Sequence, residues 1–459
     1  PSVLSLFTGA GGMDLGFSKA GFDVVASNDS ESLFCETVEL NKELFYGERH
    51  QVICKSVVDL TAADLHNSSI DVVIGGPPCQ SFSAAGRRAG GVNGVQDFRG
   101  SLFWHYCRLI RETKPAVFVF ENVRGMLQAN KGADWGVIRS ELESLGYGLF
   151  FRILDAADYG VPQHRERLIV VGLKEAGTEF LFPRPTHGLD SKDGSSHVGI
   201  AEAISSFDNP SEEIPAYGGK YGDLVAEVPP GQNYLYFTEE MGHEQPRFAW
   251  RSRFSDFLWK AHPDHPCKTL VASPSRYSGP FHWRGRKFTL AELKRIQSFD
   301  DDYEFAGSAN QVVKQIGNSV APKFAESIAI ALKQQVWSSA GGLKLDLLSP
   351  DEKLSFDRAK GVKAKKTRKR SLLVDSGPNL FSSLSTKQVV SQLPSQDFTE
   401  QWGYEQPREL IEGEGDASYG RFSVRGKLQS GVWRLKVNRL GVKRAIKKSK
   451  ILVSLKFDR

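Results

Sequence analysis

Ser2-Val3-Leu4-Ser5-Leu6-Phe7-Thr8-Gly9-Ala10-Gly11-Gly12-Met13-Asp14-Leu15-Gly16-Phe17 is the stretch that decides the fold. A short apolar run ends in a glycine-rich turn, and a helical pattern starts at Met13. Working outward, residues 22–26, 70–74, 116–120 and 168–172 are further apolar runs of strand length. Residues 30–41 and 102–112 carry helical spacing between them. Strands this apolar, alternating with helices, predict an α/β fold with a doubly wound, mostly parallel sheet buried on both faces. Ligands in such folds bind at the carboxyl ends of the strands.

The candidate functional residues stand at those ends. The turn Thr8-Gly9-Ala10-Gly11-Gly12 lets a nucleotide-like ligand approach the backbone, although a glycine turn alone is often only a turn. Asp29, about twenty residues on, is placed for ribose hydroxyls, and Asp59 for an adenine edge. Each could instead cap a helix or sit in solvent; with the turn they favour an adenosine-containing cofactor. Gly75-Gly76-Pro77-Pro78-Cys79-Gln80-Ser81-Phe82-Ser83 follows a strand directly, which suits Cys79 to nucleophilic attack; an inert buried thiol is the ordinary alternative. Residues 84–100 hold five glycines with Arg87, Arg88 and Arg99, a composition that fits a closing lid or a plain surface loop. Glu121 follows five apolar residues and is expected half-buried, either as an acid with a raised pKa or as a cap. In Gln163-His164-Arg165-Glu166-Arg167, Arg165 and Arg167 alternate onto one face, for an oxyanion-type role or a structural ion pair.

The 459 residues suggest two or three domains, and 40% hydrophobic with 25% charged residues excludes wholesale disorder. No apolar run reaches the roughly 18 residues of a membrane helix, and the first residues lack the basic start of a signal peptide, so the chain reads as intracellular, in the cytoplasm. Five cysteines form neither a disulfide framework nor a zinc pattern. Charge is uneven: residues 343–459 hold 25 Lys and Arg against 13 Asp and Glu, the remainder 34 against 41. A basic tail on a mildly acidic body points to a polyanion such as nucleic acid, with a solvated linker as the plainer reading.

Texture divides the chain further. Residues 1–182, completed by 312–340, read as a catalytic and cofactor-binding domain. Residues 183–311 are irregular, rich in Gly, Pro, Ser and aromatics. Residues 343–459 form a basic, β-rich C-terminal extension, with a linker near 351–371. Thr289 and Glu292 spell a capping box at the start of a helix.

Phe7-Thr8-Gly9-Ala10-Gly11-Gly12, Gly76-Pro77-Pro78-Cys79-Gln80, Glu121-Asn122-Val123, Gln163-His164-Arg165-Glu166-Arg167 and Gln315-Ile316-Gly317-Asn318-Ser319-Val320-Ala321-Pro322 occur in this order. Their order resembles the motifs of the DNA (cytosine-5)-methyltransferase family over about residues 2–336. The resemblance implies a Rossmann-like fold dependent on S-adenosylmethionine, with a smaller target-recognition domain. It implies catalysis by Cys79, Glu121, Arg165 and Arg167: Cys79 attacks C6 of a flipped cytosine, Glu121 meets N3 and Arg165 holds O2. It assigns cofactor contacts to Phe7, Gly9, Ala10, Gly11, Gly12, Asp29, Asp59, Pro78, Leu102 and Asn318, and no metal. Ser30 stands where some members carry an aromatic beside the adenine, and Asp300 where many have proline. The implied partner is double-stranded DNA, met by a monomer without need of a stable complex with a cognate restriction endonuclease. Arg247, Trp250, Arg251, Arg253, Lys268, Arg276, Arg284 and Arg286 are suited to phosphate and guanine contacts. An RNA cytosine-5 methyltransferase and a catalytically silent DNA-binding regulator are the alternatives.

Overall fold

The computed structural model describes residues 1–66, 69–78, 102–175, 179–207, 217–251, 254–337 and 345–355, together with the backbone of four strands between 414 and 456. Two compact units divide at Lys365 and Lys366. The first holds a sheet of β1 (Ser2–Leu6), β2 (Asp23–Asp29), β3 (Gln51–Cys54), β4 (Val72–Gly75), β5 (Val117–Val123), β6 (Gly148–Asp155) and β7 (Glu166–Leu173). Their order is β3-β2-β1-β4-β5-β7-β6. The pairs from β3 to β5 are parallel, and β7 runs antiparallel to both β5 and β6. The order reverses between β1 and β4, so the crevice of a doubly wound sheet opens at their carboxyl ends.

The helices of this unit are α1 (Gly12–Lys19), α2 (Ser32–Leu40), α3 (Leu102–Thr113), α4 (Ala133–Ser144), α5 (Ile200–Ile204), α6 (Gly222–Glu227), α7 (Leu290–Ile296), α8 (Ala309–Asn318) and α9 (Pro322–Val336). They cover both faces of the sheet. On one, Val72, Ile74, Val117 and Val119 pack with Leu15 and Phe17 of α1 and with Phe324 and Ile328 of α9. On the other, Val73, Phe118 and Phe120 meet Phe103 and Tyr106 of α3 and Ile138 of α4. Successive strand residues therefore enter opposite cores, which explains runs that are apolar throughout instead of alternating. Among the described residues, no helix is long and apolar enough to cross a membrane.

Within residues 183–311 the described chain has short helices and isolated bridges around two small clusters. One joins Trp259, Cys267 and Leu270 to Ile296 of α7 and Ile316 of α8; the other gathers Leu224, Tyr234, Phe237 and Phe281. Thr289 and Glu292 make the expected reciprocal capping box on α7. In the second unit β8 (Glu414–Tyr419), β9 (Phe422–Gln429), β10 (Val432–Arg439) and β11 (Ile451–Lys456) form an antiparallel sheet in the order β11-β10-β9-β8.

Three sequence expectations change. Glu121 and Asn122 lie inside β5, because pairing with β7 extends that strand to Val123 opposite Arg167. Arg165 precedes β7, so the assumed alternation with Arg167 starts one residue too early. Asp59 follows β3 by five residues, in an exposed turn.

Helices α1 and α9 touch at Gly16, where a Cβ would lie 2.5 Å from the Pro322 carbonyl oxygen and 2.6 Å from Ala325 Cβ. Gly16→Val is expected to lower unfolding stability by about 2–3 kcal/mol through overpacking. A urea melt with an unchanged midpoint would contradict this close contact.

Candidate active site

The turn after β1 is fixed by groups the sequence reading overlooked. Asp14, fully buried, accepts hydrogen bonds from Ser5 Oγ at 2.6 Å and from the hydroxyls of Thr8 and Ser27. Tyr303 donates to the Ala10 carbonyl at 2.8 Å and Tyr46 to that of Gly11 at 3.1 Å. A carboxylate two positions past a glycine turn, with hydroxyls on the flanking strands, was the available signal. The glycines do different work. Gly9, at φ +55°, would aim a Cβ into open space, while one on Gly12 would lie 2.2 Å from the Val320 carbonyl oxygen. Gly9 thus leaves room in front of the turn, and Gly12 lets the segment carrying Asn318 close behind it.

Asp29 joins this turn from the end of β2. Its carboxylate accepts from the Gly9 N–H at 2.9 Å and the Glu31 N–H at 3.0 Å, and burial raises its pKa above the usual carboxylate value. Asp59 is exposed and forms no bond to Asp29; its turn hangs from α3, where Arg108 Nη2 donates to the carbonyls of Val57 (2.9 Å) and Leu60 (2.7 Å). Phe7, at φ +56°, leads into the glycine turn, Leu102 opens α3, and Asn318, exposed, ends α8.

A second group forms where β4, β5 and β7 meet. Glu121 is 9% exposed, and its Oε1 lies 2.7 Å from Arg167 Nε. A Cβ on Gly76 would fall 2.7 Å from Glu121 Oε2, so a side chain there would have to displace that carboxylate. Asn122 Nδ2 donates to the Pro77 carbonyl at 3.0 Å and steadies the turn that ends at exposed Pro78. Cys79 and the proposed lid, residues 81–100, lie outside the described residues, as does Arg253.

Arg165 is turned to other partners. Its guanidinium is 3% exposed and donates to the carbonyls of Leu270 (Nη1, 3.3 Å) and Gly317 (Nη2, 2.9 Å), and burial pushes its pKa down. Neighbouring residues make the same junction. Gln163 Oε1 accepts from the Leu270 N–H at 2.8 Å, and Gln163 bonds Gln297, which reaches the Ser319 carbonyl at 2.6 Å. Thr269 Oγ1 donates to the His164 carbonyl at 2.7 Å, and His164 Nδ1 contacts Asp155 Oδ2 at 2.8 Å. Arg167, not Arg165, therefore faces Glu121.

The basic residues of the irregular region also separate. Arg286 is committed to Glu292, whose side chain is fully buried, through bonds of 2.8 and 2.7 Å. Trp250 is 55% exposed, and Arg251 lies over Phe254 at 5.5 Å. Lys268 lies 4.8 Å from the Trp259 ring centre, beside a cleft of about 80 Å³ that also includes Val271 and Ser275. Arg247 stands 3.7 Å from Glu227, and Arg276 donates to the Gly218 carbonyl at 3.1 Å. Among the described residues, no group of three His, Cys, Asp or Glu could hold a metal ion.

The ordered motifs thus converge on one sheet edge, and residues 2–334 match the family described as C-5 cytosine-specific DNA methylase. The chain belongs to that family. It is 35% identical over 369 residues to the type II methyltransferase M.SacI of Streptomyces achromogenes, covering 73% of this chain and 93% of the relative. With M.NgoFVII of Neisseria gonorrhoeae it shares 33% over 330 residues, 70% and 84% of the two chains. The solved structure of a candidate DNA modification methyltransferase from an E. coli prophage has the same fold, with TM-score 0.52, 24% identity, and coverage of 73% of this chain and 99% of that one. This enzyme is a DNA (cytosine-5-)-methyltransferase.

Arg165→Met should lower stability by about 2 kcal/mol by orphaning two carbonyls, and speed amide exchange at residues 267–272 and 316–319. Arg167→Met should leave those amides protected. Equal exchange in the two variants would refute the division of labour.

Proposed function

We propose that this methyltransferase modifies C5 of a flipped-out cytosine in a specific double-stranded DNA sequence, using S-adenosylmethionine and a covalent bond between Cys79 and C6. One observation carries the reading: the Glu121–Arg167 pair stands against the Gly76-Pro77-Pro78 turn that leads directly into Cys79. Cytosine C5 is a poor nucleophile. Addition of a thiolate to C6 turns the ring into an enamine whose C5 can accept a methyl group. Glu121 hydrogen-bonds or protonates N3 as electrons move into the ring. Arg167, already held by Glu121, takes the O2 role that the motif pattern had given to Arg165. A base then removes the C5 proton and the Cys79–C6 bond breaks. The target atom lies inside a duplex, so the cytosine must leave the stack, and residues 81–100 are the proposed cover.

S-adenosylmethionine supplies an electrophilic methyl group on a sulfonium. The donor set fits it: Gly9 leaves open space and Asp29 keeps acceptor capacity for ribose hydroxyls beside the turn. Phe7, Ala10, Gly11, Gly12, Asp59, Pro78, Leu102 and Asn318 complete the proposed contacts. The 183–311 region is proposed to read the target through Trp250, Arg251, Lys268 and their neighbours. Kinship with type II enzymes supports a role as the modification half of a restriction system, acting as a monomer.

Transfer of labelled methyl groups to duplex DNA, against none to tRNA, tests this reading over its RNA and silent-regulator alternatives. Bisulfite sequencing gives the site. Cys79→Ser should abolish turnover with cofactor affinity largely kept, and the wild type should be trapped on DNA containing 5-fluorocytosine. Substantial methylation by the serine variant would sink the covalent step.

For the C-terminal extension the proposal is sequence-independent affinity for DNA phosphates. Residues 417–459 hold 13 basic residues against one acidic. In the β9–β10 register Arg425 stands opposite Lys436 and Lys427 opposite Arg434, so four basic positions fall on two neighbouring strands. Truncation after residue 365, where the two units divide, should keep the methylated sequence while making log affinity fall less steeply with log salt, by about 0.9 for each phosphate no longer neutralised. Unchanged slopes in folded proteins, or a changed target sequence, would refute this.

A further inference from the structure

Two thiols stand beside Asp29 and take no part in the chemistry above. Cys35 is buried in the first turns of α2, whereas Cys54 ends β3 and is exposed. In the β2–β3 register Cys54 lies opposite Asp29. The Asp29 carbonyl accepts from Cys35 Sγ at 3.5 Å and from the Lys55 N–H at 3.0 Å. The two thiols also bear on each other electrically, since the neighbouring Cys54 helps push the Cys35 thiol up. The pair therefore meets at the backbone of the residue whose carboxylate holds Gly9. Cys107 and Cys267, by contrast, are wholly buried and away from this edge.

We propose that Cys35 and Cys54 are an oxidation site, at which hydrogen peroxide makes a disulfide that displaces Asp29 and weakens cofactor binding. Their reactivities divide the work. Burial and the neighbouring Cys54 and Asp29 push the Cys35 thiol up, so it stays protonated, while solvent reaches Cys54. Cys54, as thiolate, attacks one peroxide oxygen; the O–O bond breaks, and with a proton the departing oxygen leaves as water. Cys54 is now a sulfenic acid. The Cys35 sulfur then displaces its oxygen: the S–S bond forms, the S–O bond breaks, and hydroxide leaves with the Cys35 proton as a second water. Two thiols have given two electrons to one peroxide.

Closure has a direct structural consequence. A disulfide needs sulfurs about 2.05 Å apart and Cβ atoms about 3.8 Å apart, tighter than any contact between two thiols. Drawing α2 onto β3 pulls on the short connection from Asp29 to Cys35. That connection includes the Glu31 N–H, which holds Asp29 Oδ1 at 3.0 Å. The carboxylate on the other end of this joint is the one aimed at Gly9.

The disulfide stands on the thiol geometry alone; its effect on affinity rests on reading Asp29 as a cofactor ligand. The full-length protein, treated with hydrogen peroxide, is mapped by non-reducing peptide mass spectrometry and titrated with S-adenosylmethionine by calorimetry. The peptides containing Cys35 and Cys54 should be linked, affinity should fall about tenfold, the scale of one hydrogen bond to a charged group, and dithiothreitol should reverse both. Cys54→Ser, altered at an exposed position, should show neither change. Absence of the linked peptides overturns the proposal, as does linkage without loss of affinity, or an equal loss in Cys54→Ser. Linkage in a protein that binds no cofactor even when reduced would instead overturn the cofactor reading and the affinity effect, leaving the thiol pair itself standing.

Discussion

The buried guanidinium of Arg165 is the constraint on which the arrangement turns. It reaches the carbonyls of Leu270 and Gly317, which lie 105 and 152 residues away along the chain. Its own N–H is held by Asp155 Oδ1 at 2.7 Å. A charge removed from water is costly unless dipoles and hydrogen bonds replace the lost solvation. Two backbone carbonyls supply part of that replacement here, and the lowered pKa of Arg165 registers the remaining strain of burial. Residues that would otherwise meet only loosely are thereby set on one sheet edge: the end of α8 with Asn318, the 267–272 segment, and the start of β7.

That junction explains how a weakly organised region can serve a site that tolerates little error. The described part of residues 183–311 has isolated bridges and two modest aromatic and aliphatic clusters. Its position relative to the sheet is therefore set by Gln163, His164 and Arg165 and by the parallel bridge of Gln163 with Cys267. Trp250, 55% exposed, is not among the residues that make those bonds. A region with this division can change its exposed groups while keeping the few bonds that fix its place beside the start of β7.

Much of the fold was legible because the decisive features are local. An apolar run, a glycine turn and a helical pattern specify β1–turn–α1 whatever surrounds them. Strand direction was less accessible. The central residues of β7, fully buried, read the same whether a strand runs parallel or antiparallel. Strands β3 and β6 were passed over because Gln51-Val52-Ile53-Cys54 is short and Gly148–Asp155 mixes exposed and buried positions. The place of Asp29 at the end of β2, and of Glu121 just after the apolar run of β5, was legible in the sequence. The expected alternation of Arg165 with Arg167 does not hold for a physical reason: it applies only within a strand, and Arg165 lies before β7. Asp14 was missed because three hydroxyls converge on it only after the chain folds.

The pairing of Glu121 with Arg167 carries the argument one step further. A carboxylate set among apolar residues needs a partner that orients it. Phe118 and Phe120 of β5 fill one core and Val119 the other, so Glu121 emerges directly from the apolar part of the strand. Arg167 supplies the orientation across the antiparallel pairing, and Gly76 supplies closeness, since any side chain there would collide with the carboxylate. Reversal of β7 is what makes this possible. A parallel neighbour would bring its carboxyl end to this rim, whereas the antiparallel strand brings its first residues, and with them the arginine-rich motif that precedes the strand. The antiparallel strand β7 is thus the means by which a charge pair and a structural clamp, two residues apart in sequence, act at the same edge on different partners.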